Sequence, residues 1–153
     1  MLLISHRANI DGPNKDRDNN PVYVKEVLDL GYECEIDLWV ENGEKLHFGH
    51  DEPKYKISQS DFINMGDRLW VHAKNKLALH WLIRKKTGNK FHFNFFWHDK
   101  DEYTVTSKGF VWCYPSKEIK LFGINLMPEY NNFKKNELKN CVGICSDFIG
   151  KYK

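Results

Sequence analysis

The chain has 153 residues and a formal net charge of +2, with 41% hydrophobic, 14% aromatic and 29% charged residues. This length and composition predict one soluble globular domain, spanning 1–153, with a core of its own. The small net charge gives no reason to expect a nucleic-acid partner, and no apolar stretch approaches the roughly 20 residues of a membrane span.

The four cysteines bear on the compartment of the protein; they are Cys34, Cys113, Cys141 and Cys145. A chain of this length can form its core without disulfides, and the cysteine spacing fits no strong zinc pattern. Free and mostly buried thiols are therefore the favoured state. Residues 1–4 are too short for a signal-peptide core and lack a basic start. We predict a cytoplasmic protein.

The chain begins with a strand pattern that is followed by a helix pattern. Residues 2–5 are apolar and predict a buried strand that ends at His6-Arg7. A polar segment separates this strand from a helix. The helix begins after Asn20, which serves as its N-cap, and ends near Gly31, because a glycine commonly follows the last helical turn.

The next pattern is a strand over 32–40, in which polar and apolar residues alternate. This alternation places Glu35 and Asp37 on one face of the strand, because successive side chains point to opposite sides. The dipeptide Asn42-Gly43 then predicts a hairpin turn, since Asn-Gly favours the tight turns that join antiparallel strands.

The rest of the chain continues to alternate between strands and helices. Strand patterns fall at 45–48, 69–73, 91–97, 120–126 and 142–145, and helix patterns fall near 60–65 and over 77–86. The segments 103–106 and 110–113 form either a hairpin or one bent strand. Alternating strands and helices predict parallel strand pairing.

Polar residues recur where the predicted strands end, at His6-Arg7, Lys74-Asn75, His98-Asp99 and Ser146-Asp147. In α/β barrels the functional site is built at that edge of the sheet. Such barrels usually need about 200 residues or more. We therefore predict an α/β fold that is a reduced TIM (β/α) barrel with shortened or missing crossover helices, in preference to an open doubly wound sheet.

Glu35 and Asp37 are candidate metal ligands. Two carboxylates on one strand face repel each other unless a cation or strong donors lie between them. Carboxylate oxygens suit Ca²⁺ or Mg²⁺. The alternative is that this face is the solvent-exposed half of the strand, and for the pair alone that alternative is favoured. The neighbouring His6-Arg7 shifts the preference to a metal site.

The pairs His6-Arg7 and His50-Asp51 supply two imidazoles. Each has a structural alternative: His6 closes a buried strand with Arg7 in an ion pair, and Asp51 simply holds the His50 ring in a loop. An aspartate beside a histidine is also how an imidazole is oriented for proton transfer. Two histidines beside a metal-bound phosphate allow one to accept a proton while the other donates one.

These motifs, in this order, resemble the signature of the glycerophosphodiester phosphodiesterase family, within the phosphatidylinositol-phospholipase-C-like superfamily. The resemblance covers about residues 1–55. It implies a TIM barrel with a divalent metal, commonly Ca²⁺ or Mg²⁺. It also implies that His6 and His50 are the acid/base pair, that Arg7 binds phosphate, and that Glu35 and Asp37 bind the metal.

Later parts of the chain match the family less closely. The family carries Glu-x-Lys on a later strand, and the counterpart here is His72-Ala73-Lys74. The resemblance implies that Lys74 binds phosphate and that His72 takes the position of a metal ligand. Imidazole is a poorer ligand for Ca²⁺ and a better one for transition metals. Ala8 stands where the family usually has glycine, and residues 142–147 resemble the closing strand.

Aromatic residues near the predicted strand ends have two interpretations. Phe95, Trp97, Trp112 and Tyr114 either line a substrate pocket or fill the core, and the core is favoured for most of them. Trp112 and Tyr114, which precede Pro115, are the expected exceptions. We assign Trp112 to substrate binding.

The sequence therefore predicts a metal-dependent phosphodiesterase that hydrolyses a small glycerophosphodiester-like substrate. The predicted catalytic residues are His6 and His50, the substrate-binding residues Arg7, Lys74 and Trp112, and the metal ligands Glu35, Asp37 and His72, with Asp51 supporting His50. The cofactor is a divalent metal, Mg²⁺ or Ca²⁺, with a transition metal possible through His72. The first alternative is a non-catalytic module that binds phosphate or sugar phosphate, and the second is a structural protein with incidental histidine pairs.

Overall fold

A computed structural model describes residues 1–42, 44–88 and 91–153. Ten strands in these residues share one mixed sheet. They are β1 (Leu2–His6), β2 (Glu33–Glu41), β3 (Lys45–Phe48), β4 (Tyr55–Ile57), β5 (Leu69–Ala73), β6 (Asn94–Phe96), β7 (Tyr103–Val105), β8 (Val111–Cys113), β9 (Gly123–Leu126) and β10 (Gly143–Ser146). The helices are α1 (Pro21–Asp29), α2 (Gln59–Asn64), α3 (Lys76–Thr87) and α4 (Lys135–Leu138), with short 3₁₀ turns at Pro128–Asn131 and Ile149–Tyr152.

Seven strands are parallel neighbours in the order β6-β5-β2-β1-β10-β9-β8, and the sheet curls into a half-barrel. The predicted parallel pairing is therefore confirmed. Strand β3 pairs antiparallel with β2, β4 pairs antiparallel with β3, and β7 pairs antiparallel with β8. The turn after β7 contacts β6, since the Ser107 amide donates to the Phe95 carbonyl at 2.7 Å.

The predicted reduced TIM barrel is wrong. In the described residues, helices of nine residues or more occur on two connections, where α1 joins β1 to β2 and α3 joins β5 to β6. Parallel strands usually need a crossover of a dozen or more residues, commonly a helix. Strands β8 and β9 are instead joined by residues 114–122 without a helix. Hairpins and short loops replace the repeating strand–helix units of a barrel.

The two long helices begin where the sequence predicts. Asn20 caps α1 by accepting a hydrogen bond from the Val22 amide at 3.0 Å. Asn75 caps α3 in the same way, accepting from the Ala78 amide at 2.8 Å, and Gly88 follows the last turn. Each cap satisfies a backbone donor that the first helical turn leaves without a partner.

Several strand predictions are confirmed, and others need correction. The strands predicted at 45–48 and 69–73 have the observed bounds, and 103–106 and 110–113 form a hairpin rather than one bent strand. The strand predicted at 91–97 is shorter, over Asn94–Phe96. The predicted Asn42-Gly43 turn includes Gly43, which lies outside the described residues.

Side chains of the parallel strands alternate between two apolar layers. Cys34, Ile36 and Leu38 of β2 face the layer beneath α1 and α3. Side chains of the other parity fill the inside of the curl; they are Ile4, Trp70, Phe96, Trp112, Ile124 and Cys145. This inner layer supports the polar side chains that continue the same strand faces, such as His6 after Ile4 and His72 after Trp70.

The predicted free thiols are confirmed, since all four cysteines are unpaired and buried. Burial raises the pKa of the Cys145 thiol well above its ordinary value, and the nearby carboxylate of Glu35 acts in the same direction. This thiol is therefore held in its neutral form. In the parts of the chain that the structure describes, no helix is long and apolar enough to cross a membrane.

Candidate functional site

Polar side chains gather at one edge of the sheet, where the parallel strands β1, β5 and β10 end. Glu35 and Asp37 lie within β2 beside this edge, and His50 reaches it from the loop after the antiparallel strand β3. We call this group the polar edge, and it consists of His6, Arg7, Glu35, Asp37, His50, His72, Lys74 and Asp147. It brings together all the predicted catalytic and metal-binding residues and the predicted phosphate ligands Arg7 and Lys74.

Asp37 is the centre of the polar edge and is fully buried. Five donor or cationic groups surround its two oxygens: Asn19 Nδ2 at 2.9 Å, His72 Nδ1 at 3.0 Å, His50 Nδ1 at 3.1 Å, Arg7 Nε at 3.2 Å and Lys74 Nζ at 3.6 Å. Burial alone would raise the pKa of Asp37, but the hydrogen bonds from both histidines and the charge of Arg7 lower it well below its ordinary value. Asp37 is therefore a carboxylate.

Glu35 lies two residues earlier on the same face and is in the opposite situation. It is 3% exposed, and its Oε2 has no hydrogen-bond partner among the described residues. Burial raises its pKa well above the ordinary value, and the charge of Asp37 adds to this effect. A buried polar atom without a partner is rare in folded proteins. His6 Nε2 lies 3.9 Å from Glu35 Oε2, too far for a hydrogen bond, so Oε2 can accept a ligand.

Glu35, Asp37 and His72 fit a divalent metal ion. One ligand atom from each residue lies within 4.8 Å of the other two. Two carboxylates and one imidazole suit a divalent cation, and the imidazole extends the range to transition metals. The unpartnered Oε2 of Glu35 supports this fit independently of the resemblance, because a cation would supply the partner that the atom lacks.

His6 is held by Asp147, which follows β10. Its Nδ1 lies 2.8 Å from Asp147 Oδ1, and Asn9 donates to the same carboxylate oxygen at 2.9 Å. An ionised carboxylate only accepts hydrogen bonds, so Nδ1 carries the proton and Nε2 is left for a ligand. Burial lowers the pKa of His6 more than Asp147 raises it, which favours the neutral ring.

The ring of His50 is held in the same manner by Asp37. Its Nδ1 donates to Asp37 Oδ2 at 3.1 Å, while its Nε2 lies 3.2 Å from an Arg7 amino group. The predicted support residue, Asp51, has a side chain that is 93% exposed and lies 3.6 Å from Nε2. Asp37, and not Asp51, is therefore the carboxylate that orients the His50 ring.

The backbone before His50 requires glycine. Gly49 has a φ of +154°, and a Cβ at this position would lie 2.1 Å from the carbonyl oxygen of Glu52. Its amide donates to the Asp37 carbonyl at 3.2 Å, and its own carbonyl accepts from the Trp39 indole at 2.7 Å. These bonds fix the end of the β2–β3 hairpin and place His50 beside Asp37.

Arg7 points over the edge of the sheet because the chain bends sharply after β1. Arg7 and Ala8 both have left-handed backbone conformations, with φ of 51° and 71°. The Arg7 amide donates to the Glu35 carbonyl at 3.0 Å, and the Asn19 amide donates to the Arg7 carbonyl at 2.9 Å. A left-handed φ is the reason that glycine would be suited to position 8, where this chain has Ala8.

Two cavities meet at Arg7 and His50, which line both of them. The outer cavity has a volume of about 280 Å³ and includes Lys15 and Lys54 in its lining. The inner cavity is smaller, at about 70 Å³. It is enclosed by polar-edge residues on one side and by Phe96, His98, Trp112, Tyr114 and Leu126 on the other.

The aromatic residues near this edge divide between core and cavity. Trp112, the predicted substrate-binding residue, lines the inner cavity but is 3% exposed and belongs mainly to the inner apolar layer. Tyr114 lines the same cavity and is 40% exposed. Phe95 is buried on the opposite face of β6, and Trp97 is partly exposed.

Three residues of this region have no specific role in the sequence-based prediction. His98 and Asp147 are among the polar residues that follow predicted strands, and they lie two residues beyond inward-facing Phe96 and Cys145, but the pattern indicates no particular function for either. Asn19, which bonds both the side chain and the amide of Asp37, lies in a polar segment without periodicity. Its left-handed φ of 60° is compatible with asparagine but does not identify it.

Comparisons with known proteins do not assign the chain to a family. No family model, no curated protein and no solved structure matches the chain. The resemblance to the glycerophosphodiester phosphodiesterase family therefore stays a prediction that rests on the motifs of residues 1–55 and on the local chemistry of the polar edge.

Proposed function

We propose that the chain is a metal-dependent phosphodiesterase that hydrolyses a small phosphodiester, with His6 and His50 as the acid/base pair. One observation carries this proposal. Each of the two imidazoles has its Nδ1 held by a buried carboxylate, Asp147 or Asp37, and both rings reach the cavity that Arg7 also lines. Orienting partners of this kind leave Nε2 of His6 for proton transfer to a ligand, and Nε2 of His50 becomes available once a phosphate takes the Arg7 amino group that lies 3.2 Å from it.

Arg7 and Lys74 are suited to hold the phosphate. An Arg7 amino group lies 3.2 Å from His50 Nε2, and Lys74 Nζ lies 3.5 Å from His50 Nδ1, so both cations border the same imidazole. Charge-assisted hydrogen bonds to phosphate oxygens are stronger than neutral ones. In a site with little water, such cations stabilise the charge that develops as the phosphorus is attacked.

Glu35, Asp37 and His72 would hold the metal. When bound, a divalent ion supplies electrostatic stabilisation of the phosphate oxygens as a Lewis acid. The protein contributes the cluster of ligand atoms, within 4.8 Å of one another, and the burial that excludes competing water. His72 is further positioned by stacking on Phe96, with ring centroids 5.1 Å apart and planes 8° apart.

The proton transfers follow from the two held imidazoles. One ring enters neutral and accepts a proton at Nε2 from the water that attacks phosphorus. The other enters protonated and donates from Nε2 to the oxygen of the departing alcohol. The P–O bond to that alcohol breaks as the bond to the water oxygen forms. The products are an alcohol and a phosphate monoester, and solvent restores both rings.

The test is product release from a glycerophosphodiester, followed by phosphorus NMR, with Mg²⁺ or Mn²⁺ added after chelation. We expect metal-dependent formation of a monoester, and a loss of at least about a hundredfold in kcat for His6→Ala and for His50→Ala. His80→Ala, which removes an exposed imidazole on α3, is the matched control and should retain full activity. Full activity in either of the first two variants would contradict the proposal.

The alternative is a module that binds a phosphate group without cleaving it. One observation favours it: Asp37 holds Arg7 and Lys74 near each other through ion pairs that need no metal. Calorimetry separates the two functions. Binding of inorganic phosphate or a sugar phosphate in the presence of chelator, without turnover of any diester when metal is added, would support the module.

A further inference from the structure

His98 is a buried histidine whose side chain the proposed chemistry does not use. It follows β6 and is 9% exposed, yet neither ring nitrogen has a hydrogen-bond partner among the described residues. A neutral imidazole carries one donor and one acceptor. Leaving both without partners in a buried position is unfavourable, so the ring is suited to a ligand that supplies them.

The position of His98 relates it to the proposed site. It lines the inner cavity together with His6, Arg7 and His50. It is not part of the cluster of candidate metal ligands, which contains Glu35, Asp37 and His72. Its ring packs against the ring of Tyr114, with centroids 4.0 Å apart. His98 therefore lines the same cavity as the phosphate-binding side chain Arg7, and it borders the metal cluster without belonging to it, since the His98 and His72 ring centroids lie 6.3 Å apart.

The walls around His98 are aromatic. Phe96 and Trp112 stack with ring centroids 4.6 Å apart, and the Tyr114 ring packs against His98 and lines the same cavity. Pockets with apolar walls and a few well-placed polar groups hold ligands whose carbon skeleton packs on the walls while a polar group is hydrogen-bonded. A short carbon chain that extends from a phosphate at Arg7 into this cavity would bring a hydroxyl group to His98.

We propose, on the basis of the proposed function, that His98 is a specificity-determining residue that hydrogen-bonds a hydroxyl group on the alcohol arm of the phosphodiester. The site then selects hydroxylated arms over plain alkyl arms of the same length. A site built to bond a hydroxyl group discriminates strongly against the analogue that lacks it, because its own buried polar atoms are left without partners.

The experiment compares the affinities of two monoesters, glycerol 3-phosphate and propyl phosphate, by calorimetry in the presence of Mn²⁺. They have the same three-carbon chain and differ in their hydroxyl groups. We expect the wild-type chain to bind glycerol 3-phosphate at least about tenfold more tightly. His98→Phe keeps the aromatic contact with Tyr114 and removes both nitrogens, so it should bind the two ligands with equal affinity. His80→Phe is the matched control and should keep the preference.

His98→Gln is the second variant, because its amide retains a donor and an acceptor and should preserve part of the preference. Equal binding of the two ligands by the wild-type chain would overturn the inference, as would an undiminished preference in His98→Phe or, if that variant does not fold, the loss of all preference in His98→Gln.

The outcome is separable from that of the proposed function. A preference for glycerol 3-phosphate that depends on His98, without cleavage of any diester, would support this inference and contradict the hydrolase. Cleavage of glyceryl and propyl diesters at equal rates would support the hydrolase and contradict this inference. Failure to bind either monoester would contradict this inference, whereas the hydrolase is contradicted only if no diester is cleaved.

Discussion

Two groups of strands contribute different kinds of side chain to the same edge of the sheet. Strands β1, β2 and β5 form the first group, and strands β6, β8 and β9 form the second. The first group contributes the ionisable side chains His6, Glu35, Asp37 and His72, and its strands have five to nine residues. The second group has three or four residues per strand and contributes mainly apolar side chains such as Phe96 and Trp112. The two crossover helices α1 and α3 begin or end at strands of the first group.

This difference indicates which part of the sheet has to be held rigidly. A buried carboxylate is tolerated only when its partners are fixed around it, as the five groups around Asp37 are. An apolar wall depends on close packing and does not require a particular set of hydrogen-bond or ion-pair partners. We therefore expect substitutions in the first group to change charge-dependent properties, and those in the second to change packing.

The largest expected effect on stability is that of Asp37→Asn in the presence of chelator. It leaves Arg7 and Lys74 without their buried counter-charge, and we expect the free energy of unfolding to fall by about 3–5 kcal/mol. Urea denaturation measures this change. Asp51→Asn is the matched control on the exposed side of His50 and should change stability by less than about 0.5 kcal/mol. Equal effects of the two substitutions would contradict the central place of Asp37.

Trp112→Leu should lower the free energy of unfolding by about 2–3 kcal/mol, because it removes part of a buried ring from the inner layer. Tyr114→Leu, at a residue 40% exposed, should cost less than about 1 kcal/mol. Neither variant should change the affinity for Mn²⁺, which calorimetry measures. A loss of metal affinity in Trp112→Leu would show that the two groups of strands are not separable in this way.

Glu35→Gln should not lower the free energy of unfolding as Asp37→Asn does, although the two residues are only two apart on one strand. A neutral amide removes the cost of an unpartnered buried carboxylate, so we expect stability without metal to be unchanged or higher by about 1 kcal/mol. The affinity for Mn²⁺ should fall by at least about tenfold, since one ligand is lost. A strongly destabilised variant with unchanged metal affinity would contradict the metal site.

The two carboxyl groups should also have opposite pH dependence, measured with chelator present. The folded-state pKa of Asp37 is lowered, so its stabilising contribution is present above its unfolded pKa of about 3.9 and is lost as the pH falls further. The folded-state pKa of Glu35 is raised, so the folded chain loses stability as the pH rises above about 4.3. The advantage of the wild type over Asp37→Asn should therefore shrink in acid, whereas its deficit relative to Glu35→Gln should grow toward neutral pH. A wild-type advantage over Asp37→Asn that grows in acid, or a deficit relative to Glu35→Gln that shrinks toward neutral pH, would contradict these signs.

Local sequence patterns are sufficient to predict several features of the candidate site. The period of two places Glu35 and Asp37 on one face, Asn20 marks where α1 begins, and the hairpin pattern places His50 just after the strand that returns along β2. These features depend on neighbours within a few residues, so a single sequence is enough to predict them.

The features that were predicted wrongly or not at all depend on distant parts of the chain. Nothing local indicates that β8 and β9 pair in parallel without a helix between them, so the sequence predicts a barrel where a half-barrel forms. Asp147 holds His6 across 141 positions, and Asn19 reaches Asp37 through a left-handed bend. The partner of His50 could not be inferred from adjacency, because Asp51 is next to it in sequence yet points to solvent.

The most direct test of a metal-assisted phosphate site at this edge is a crystal soaked with Mn²⁺ and phosphate and measured with anomalous data. We predict one anomalous peak about 2.0–2.4 Å from oxygens of Glu35 and Asp37 and from a nitrogen of His72, with phosphate contacting Arg7 and Lys74. Mn²⁺ bound elsewhere, or phosphate bound away from Arg7 with the polar edge unchanged, would contradict the account.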